Sequence, residues 1–296
     1  MRPRERAAWT FVAPSLIAIS LFFVMPVFAA LALSLTDFDI YALADTANLR
    51  FVGLDNYTRL LNNPLFWRAL GNNVWFVVFG TPLSIAASLG AALLLNARTL
   101  RWRPIWRVAL FAPYVTTVVA TAVVWRYLLH TRYGMINYGL QAIGLPAVDW
   151  LGSPIASLPA ILFFVVWKTF GYNMLIFLAV LQTVPEDLHE AAKIDGAGPF
   201  TRFRHVTLPA IAPTLLLVSI ISMAGFFQLF AEPYVMTQGG PAQSTVTMLY
   251  FMYEEGFKWW NLGSASAVAF VLFLCIFAVT LVQLWVSNRL AGGSGK

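Results

Sequence analysis

Six stretches of apolar residues dominate the chain, at roughly 9–35, 73–95, 108–128, 157–182, 211–231 and 265–287. Each is about long enough to cross a hydrocarbon core of ~30 Å. Inside such a core only helices and closed barrels satisfy their own backbone groups, and runs this long favour helices. Barrel strands would be about half the length, with polar residues alternating. The expected fold is therefore an all-α integral membrane protein, a bundle of six transmembrane helices built as a single domain over residues 1–296. Composition agrees: 59% of residues are hydrophobic and 11% charged, against about 25% charged in a soluble domain. No room is left for a separate catalytic domain.

The net charge of +6 does not point to nucleic acid, because the basic residues sit at the ends of apolar runs rather than along one face. The first run follows Arg2, Arg4 and Arg6, as a signal peptide would, and Ala30-Leu31-Ala32 has some likeness to a cleavage site. The run is longer than the apolar stretch of about 7–15 residues in such peptides, so an uncleaved first helix is expected. Orientation follows from Lys and Arg in the connections. The N-terminus, loops 96–107 and 183–210 and the C-terminal tail hold twelve, from Arg2 through Arg98 and Lys193 to Lys296. The opposite loops hold six: Arg50, Arg59, Arg68, Arg126, Arg132 and Lys258. Both termini are thus expected in the cytoplasm.

Several runs contain proline: Pro14 and Pro26, Pro82, Pro113 and Pro213. Each removes a backbone hydrogen bond and permits a kink, either absorbed by neighbouring structure or used as a hinge. The lone Cys275 lies in an apolar run and reads as a small packed hydrophobe. It excludes an internal disulfide, and no metal site is expected from it.

The most informative connection is Thr183 to Pro213. Thr183 and Glu186 have capping-box spacing, with Pro185 suited to a first turn. Leu188, Glu190, Ala191, Ala192 and Lys193 mostly favour helix. Gly196 and Gly198 supply a break. Pro199 opens a second short helix and Pro209 limits it.

At Glu190-Ala191-Ala192, Asp195-Gly196-Ala197, Phe203, Val206, Leu208 and Pro209, the chain resembles the signature loop of the permease subunits of binding-protein-dependent ABC importers. Phe51 to Tyr57, Gly171-Tyr172-Asn173-Met174 and Thr237 to Pro241 are similar to the sugar-uptake branch of that family. The resemblance implies a cytoplasmic coupling helix between spans four and five, with docking residues Glu190, Ala191, Ala192, Lys193, Asp195, Gly196, Ala197, Phe203 and Pro209. It implies as partners an ATP-binding subunit dimer, a second homologous permease and an extracytoplasmic solute-binding protein, around a chain in the bacterial inner membrane. It also implies that closure and opening of the ATPase dimer rock the permease pair between outward- and inward-facing states. Acids of the external loops, Asp37, Asp39, Asp45 and Asp55 and then Glu232, Glu254 and Glu255, either help to receive the binding protein or are ordinary solvated loop charge.

The chain carries no motor of its own. No G-x-x-x-x-G-K-[ST] occurs, so ATP and magnesium belong to the partner ATPase, and no cofactor is expected here. The tail ending Gly295-Lys296 has Leu290 where such a loop needs its first glycine. Lys168 is the basic residue well inside a run, and a buried charge costs about 2.5–3.5 kcal/mol on insertion scales. Two readings stand: a pathway residue meeting substrate, or a structural lysine bonded to a carbonyl or acid. Trp167, Tyr172 and Asn173 lie near it, and Phe226, Phe227 and Gln228 face them from the fifth run. Aromatic faces and amides suit an oligosaccharide path, and they equally suit packing. A sugar is the expected cargo, with glycerol 3-phosphate second because Lys168 could meet its charge. A secondary transporter would show intramembrane acids and repeats. A membrane enzyme would need a catalytic cluster at one depth, which His130, His189 and His205 do not offer.

Overall fold

The computed structural model describes residues 3–97 and 99–292. Arg2, Arg98 and the tail from Gly293 to Lys296 lie outside the described residues, and with them those parts of the charge tally. Among the described residues all named elements are helical, and the one β contact is an isolated bridge between Thr36 and Phe51.

Five helices are long and apolar enough to span: Trp9–Ser34, Pro64–Asn96, Ser157–Leu181, Pro199–Phe227 and Leu262–Arg289. The third predicted run is not one straight helix. It forms two limbs, Arg103–Val115 and Val118–Leu128, bent by 98°. Pro113 and the β-branched run Val115-Thr116-Thr117-Val118-Val119 explain the break, since such residues crowd a helical turn. Thr116 and Thr117 are extended there. The second helix starts nine residues before the predicted 73, because Arg68, Asn72 and Asn73 dilute an otherwise helical, half-apolar segment. The fifth starts earlier too and ends at Phe227, so Gln228 is its C-cap rather than part of its interior.

The prolines are accommodated in a recurring way. Three π-turns, Ser20–Val24, Phe76–Gly80 and Phe203–Thr207, each end two residues before a proline, at Pro26, Pro82 and Pro209. A proline cannot donate and its ring crowds the carbonyl four residues back. A widened turn moves that carbonyl aside and re-pairs the freed groups. Leu208 accordingly donates to Phe203 rather than to Arg204. Pro209 therefore does not limit the second loop helix; the chain runs on through it as one helix from Pro199 to Phe227.

The chain divides into two compact units, residues 68–250 with 276–296, and residues 1–67 with 251–275. The larger holds the most buried span, Ser157–Leu181. One cluster there joins Phe76, Trp125, Ile161, Phe164 and Phe226; another joins Leu89, Met174, Phe177, Ile211 and Val218. Lipid is as apolar as these side chains, so close packing rather than water release holds such helices together. Gly171 shows how close it is: a Cβ there would overlap the carbonyl oxygen of Leu110.

In the smaller unit, residues 51–57 fold over the end of the first span. Val52 and Gly53 donate to the Leu35 carbonyl at 2.9 and 3.1 Å, and buried Asn56 donates to the Ser34 and Thr36 carbonyls, both at 2.8 Å. Ser34 Oγ and Tyr57 Oη meet at 2.7 Å. Asn56 and Tyr57 thus act as a helix-end clasp, the Asn56 amide buried and spent.

Candidate docking loop and membrane cavity

The loop after the fourth span forms the two short helices its residues call for, with one difference at its start. Helix Glu186–Ile194 is capped by Pro185, and no side chain caps it. The predicted capping box does not form, because the Thr183 hydroxyl donates to Val180 O at 2.8 Å instead. At the other end Ala197 N donates to Ala192 O at 2.9 Å and Gly196 N to Lys193 O at 3.1 Å. These are the two bonds of a Schellman turn, whose central residue must be left-handed. Gly196 has φ +79 while Gly198 lies at −68, so the break belongs to Gly196 alone. Nothing lies within 4 Å of a Cβ built there, so the demand is purely conformational.

No residue of helix Glu186–Ile194 is buried. Glu190, Ala191, Lys193, Asp195 and Gly196 are exposed, and Ala192 and Ala197 half-exposed. Leu188, Ile194 and Phe200 also face outward, an apolar surface that costs free energy while in water. Phe203 instead packs against the buried cluster around Leu89 and Met174, tying the loop to the spans, and Pro209 is exposed.

Within the larger unit a cavity of about 260 Å³ opens between the spans. The second helix contributes Ser84, the first limb of the bent pair Tyr114, and the fourth span Thr169, Tyr172 and Asn173. Ser222, Gly225, Gln228 and Glu232 complete the polar part of the wall. Asn173 binds three helices together, donating to Ser222 Oγ at 2.9 Å and Ser84 Oγ at 3.3 Å. Tyr114 and Tyr172 stack with centroids 4.7 Å apart and 17° between planes, giving one flat apolar face beside the amides.

Of the six residues expected on a pathway, Tyr172, Asn173 and Gln228 line this cavity and Trp167, Lys168 and Phe227 do not. Trp167 packs on Trp125 at 5.2 Å, and Phe227 is 3% exposed. Lys168 Nζ donates to Thr116 O at 2.7 Å and Pro113 O at 3.0 Å. It thus satisfies carbonyls freed at the break in the bent pair, the structural one of its two readings.

Several cavity residues escaped the sequence. Ser84, Thr169 and Ser222 carry no signal beyond being small and polar in apolar runs. Tyr114 had one, since it follows the proline that breaks its helix. Glu232 reads as loop charge from sequence, yet it sits half-buried in helix Ala231–Met236, against the cavity. Burial pushes its carboxyl above the ordinary carboxylate range, opposed by its own and the Phe230 backbone N–H and by the Lys168 charge. Of the other loop acids, Asp39 caps Tyr41 and Ala42, Asp37 accepts from Arg50 N, and Glu254 pairs with Lys258 at 2.8 Å.

Asn73 is the other residue missed. Fully buried, it donates to Phe227 O at 2.8 Å and Phe226 O at 3.2 Å and accepts from Met248 N at 2.7 Å. It pins the last turn of the fifth span, the turn that presents Gln228 to the cavity. Among the described residues no three of His, Cys, Asp and Glu are placed to hold a metal.

Comparison with known proteins gives consistent answers. The family described as binding-protein-dependent transport system inner membrane component matches residues 10–292. The lactose transport system permease protein of Rhizobium radiobacter is 34% identical over 286 residues, 95% of this chain and 94% of its own. The trehalose/maltose transport system permease protein of Thermococcus litoralis is 33% identical over 286 residues, covering 96% and 94%. Among solved structures, a bacterial alginate ABC transporter in complex with alginate pentasaccharide-bound periplasmic protein has a chain with the same fold. The TM-score is 0.79 at 20% identity, covering 97% of this chain and 96% of that one.

Proposed function

The chain belongs to the inner-membrane components of binding-protein-dependent transport systems, and from that premise we propose that it is the permease subunit of an ATP-driven importer of a sugar or oligosaccharide. The observation that carries the cargo class is similarity along almost the whole chain to permeases named for lactose and for trehalose and maltose. The cavity is compatible with it. A stacked tyrosine pair offers a face for a sugar ring, and Asn173, Gln228, Thr169 and two serines offer partners for hydroxyls.

In this reading residues 1–296 form one permease domain with both termini in the cytoplasm. Loop 183–210 faces the ATPase dimer, with helix Glu186–Ile194 in a groove of that partner. Its exposed alanines allow close helix-in-groove contact, and Glu190 and Lys193 supply charges at the rim. A second permease completes the pathway, and a periplasmic binding protein delivers the sugar, as the alginate complex does for its own cargo. ATP and magnesium act on the partner, whose closure rocks the permease pair between outward- and inward-facing states. Glycerol 3-phosphate is the weaker reading, because the cation meant to meet its phosphate, Lys168, is spent on two backbone carbonyls.

Gentle affinity purification of the tagged chain from its own membrane, followed by mass spectrometry, tests the reading. Recovery of an ATPase and a second permease is expected. Repeated recovery of the chain alone would instead point to a self-sufficient transporter.

A further inference from the structure

We propose that Glu232 acts as a charge filter in the membrane cavity, so that this permease passes neutral or cationic sugars and turns back anionic ones. The inference rests on the pathway reading above and adds to it the charge class of the cargo. Glu232 lines the cavity beside Tyr172, Asn173 and Gln228, and among the described residues of that wall it is the only charged side chain. The nearby cation acts on it only from behind the wall, where its field favours the ionised carboxylate. Lys168 is absent from the wall, and its ammonium is fastened to the carbonyls of Pro113 and Thr116.

A cargo carboxylate or sulfonate in this space meets a like charge on the wall, with the one nearby cation lying behind it. A hydroxyl or an ammonium meets an acceptor. Between spans the effective dielectric is well below that of water, so one charge a few ångströms away shifts occupancy by tenfold or more. The remaining wall groups, amides, hydroxyls and stacked rings, do not distinguish cargo by charge. Selection by charge therefore falls to this one side chain.

The test needs no knowledge of the cargo. In the purified full chain, with the subunits that accompany it, Cys275→Ala removes the native thiol and Gln228→Cys places a reporter on the cavity wall. Two methanethiosulfonates of similar size, trimethylammonium-ethyl and sulfonatoethyl, each form a mixed disulfide with that thiolate and release methanesulfinate. Rates are normalised to those on a free thiol in solution. The cation-to-anion ratio is expected to exceed unity by at least about tenfold, to collapse toward one on adding Glu232→Gln, and to survive Glu232→Asp. A ratio near one with Glu232 in place would overturn the filter, as would a high ratio that persists in the Gln variant. Reaction with neither reagent would overturn the pathway reading of the cavity, and the filter with it. If the Gln variant fails to insert, the unsubstituted and Asp forms decide the question, since the proposal requires both to be strongly cation-selective.

Discussion

Two charged residues of opposite sign show how much a single position can hide from sequence. Lys168 announces itself as a charge in an apolar run, but its acceptors are carbonyls exposed by a break that hydropathy does not reveal. Glu232 announces nothing, because a carboxylate just beyond a span looks like every other loop acid. Replacing Lys168 with Met leaves the Thr116 carbonyl unpaired, at about 1–3 kcal/mol, while the Pro113 carbonyl keeps its bond from the Thr116 hydroxyl. The purified complex should lose several degrees of thermal stability by intrinsic fluorescence, while cargo affinity measured below the transition stays unchanged. A variant of normal stability with lost affinity would return Lys168 to the pathway. For Glu232 the prediction concerns pH. Burial raises its carboxyl pKa against the opposing charge of Lys168, and the only other titratable groups of the wall are Tyr114 and Tyr172. The carboxylate is fully present well above its raised pKa and is lost as pH falls through it. Cation preference of the reporter thiol should therefore fade on acidification, beginning above the ordinary carboxylate range. A preference flat down to pH 4 would contradict this assignment.

At the scale of elements, the loop between the fourth and fifth spans was the most legible part of the chain. Its glycine, alanines and prolines state local rules that tertiary structure has little occasion to override. The exceptions are instructive. Thr183 has the spacing for a capping box, but the preceding helix ends close enough to claim its hydroxyl. Pro209 has the chemistry of a helix stop, but a π-turn before it lets the helix continue. The Schellman turn separates two effects at Gly196. Gly196→Asn keeps a residue that tolerates the left-handed region, so co-purification with the ATPase should remain near normal. Gly196→Asp tolerates it similarly but sets a second carboxylate beside Asp195 on the proposed docking face, and recovery of the ATPase should fall at least about fivefold while membrane insertion survives. Equal recovery in both variants would remove this turn from the contact. Asn73→Ala should loosen the last turn of the fifth span, costing about 2–4 kcal/mol by leaving the Phe227 carbonyl and Met248 N–H unpaired. Faster hydrogen exchange around 226–248 would register it, and unchanged exchange would count against the pin.

For the whole molecule, parity is the open arithmetic. Five spanning helices place the termini on opposite faces, whereas counting the bent pair as a sixth returns them to the same face. The charge tally favours the second, and reporter fusions at each end should both show a cytoplasmic location; a split result would make the bent pair re-entrant. Five of the six apolar runs were readable as long helices because a bilayer imposes one length on every crossing, although two of them begin well before the apolar run does. The size of the bend was not: Pro113 marks a place for a kink, but hydropathy averages over the two or three residues where direction changes. That bend bears on how the protein is made. Its limbs hold 13 and 11 residues, about 20 and 17 Å of helix, and neither alone reaches across a hydrocarbon core of ~30 Å. The fourth span, for its part, carries a lysine that lipid would tolerate poorly. Each segment supplies what the other lacks, carbonyls for an ammonium and an ammonium for carbonyls. During synthesis the two should therefore wait for each other at the insertion machinery and leave it as a pair. Nascent chains truncated before Lys168 has emerged should be held there, and chains extended past Leu181 released.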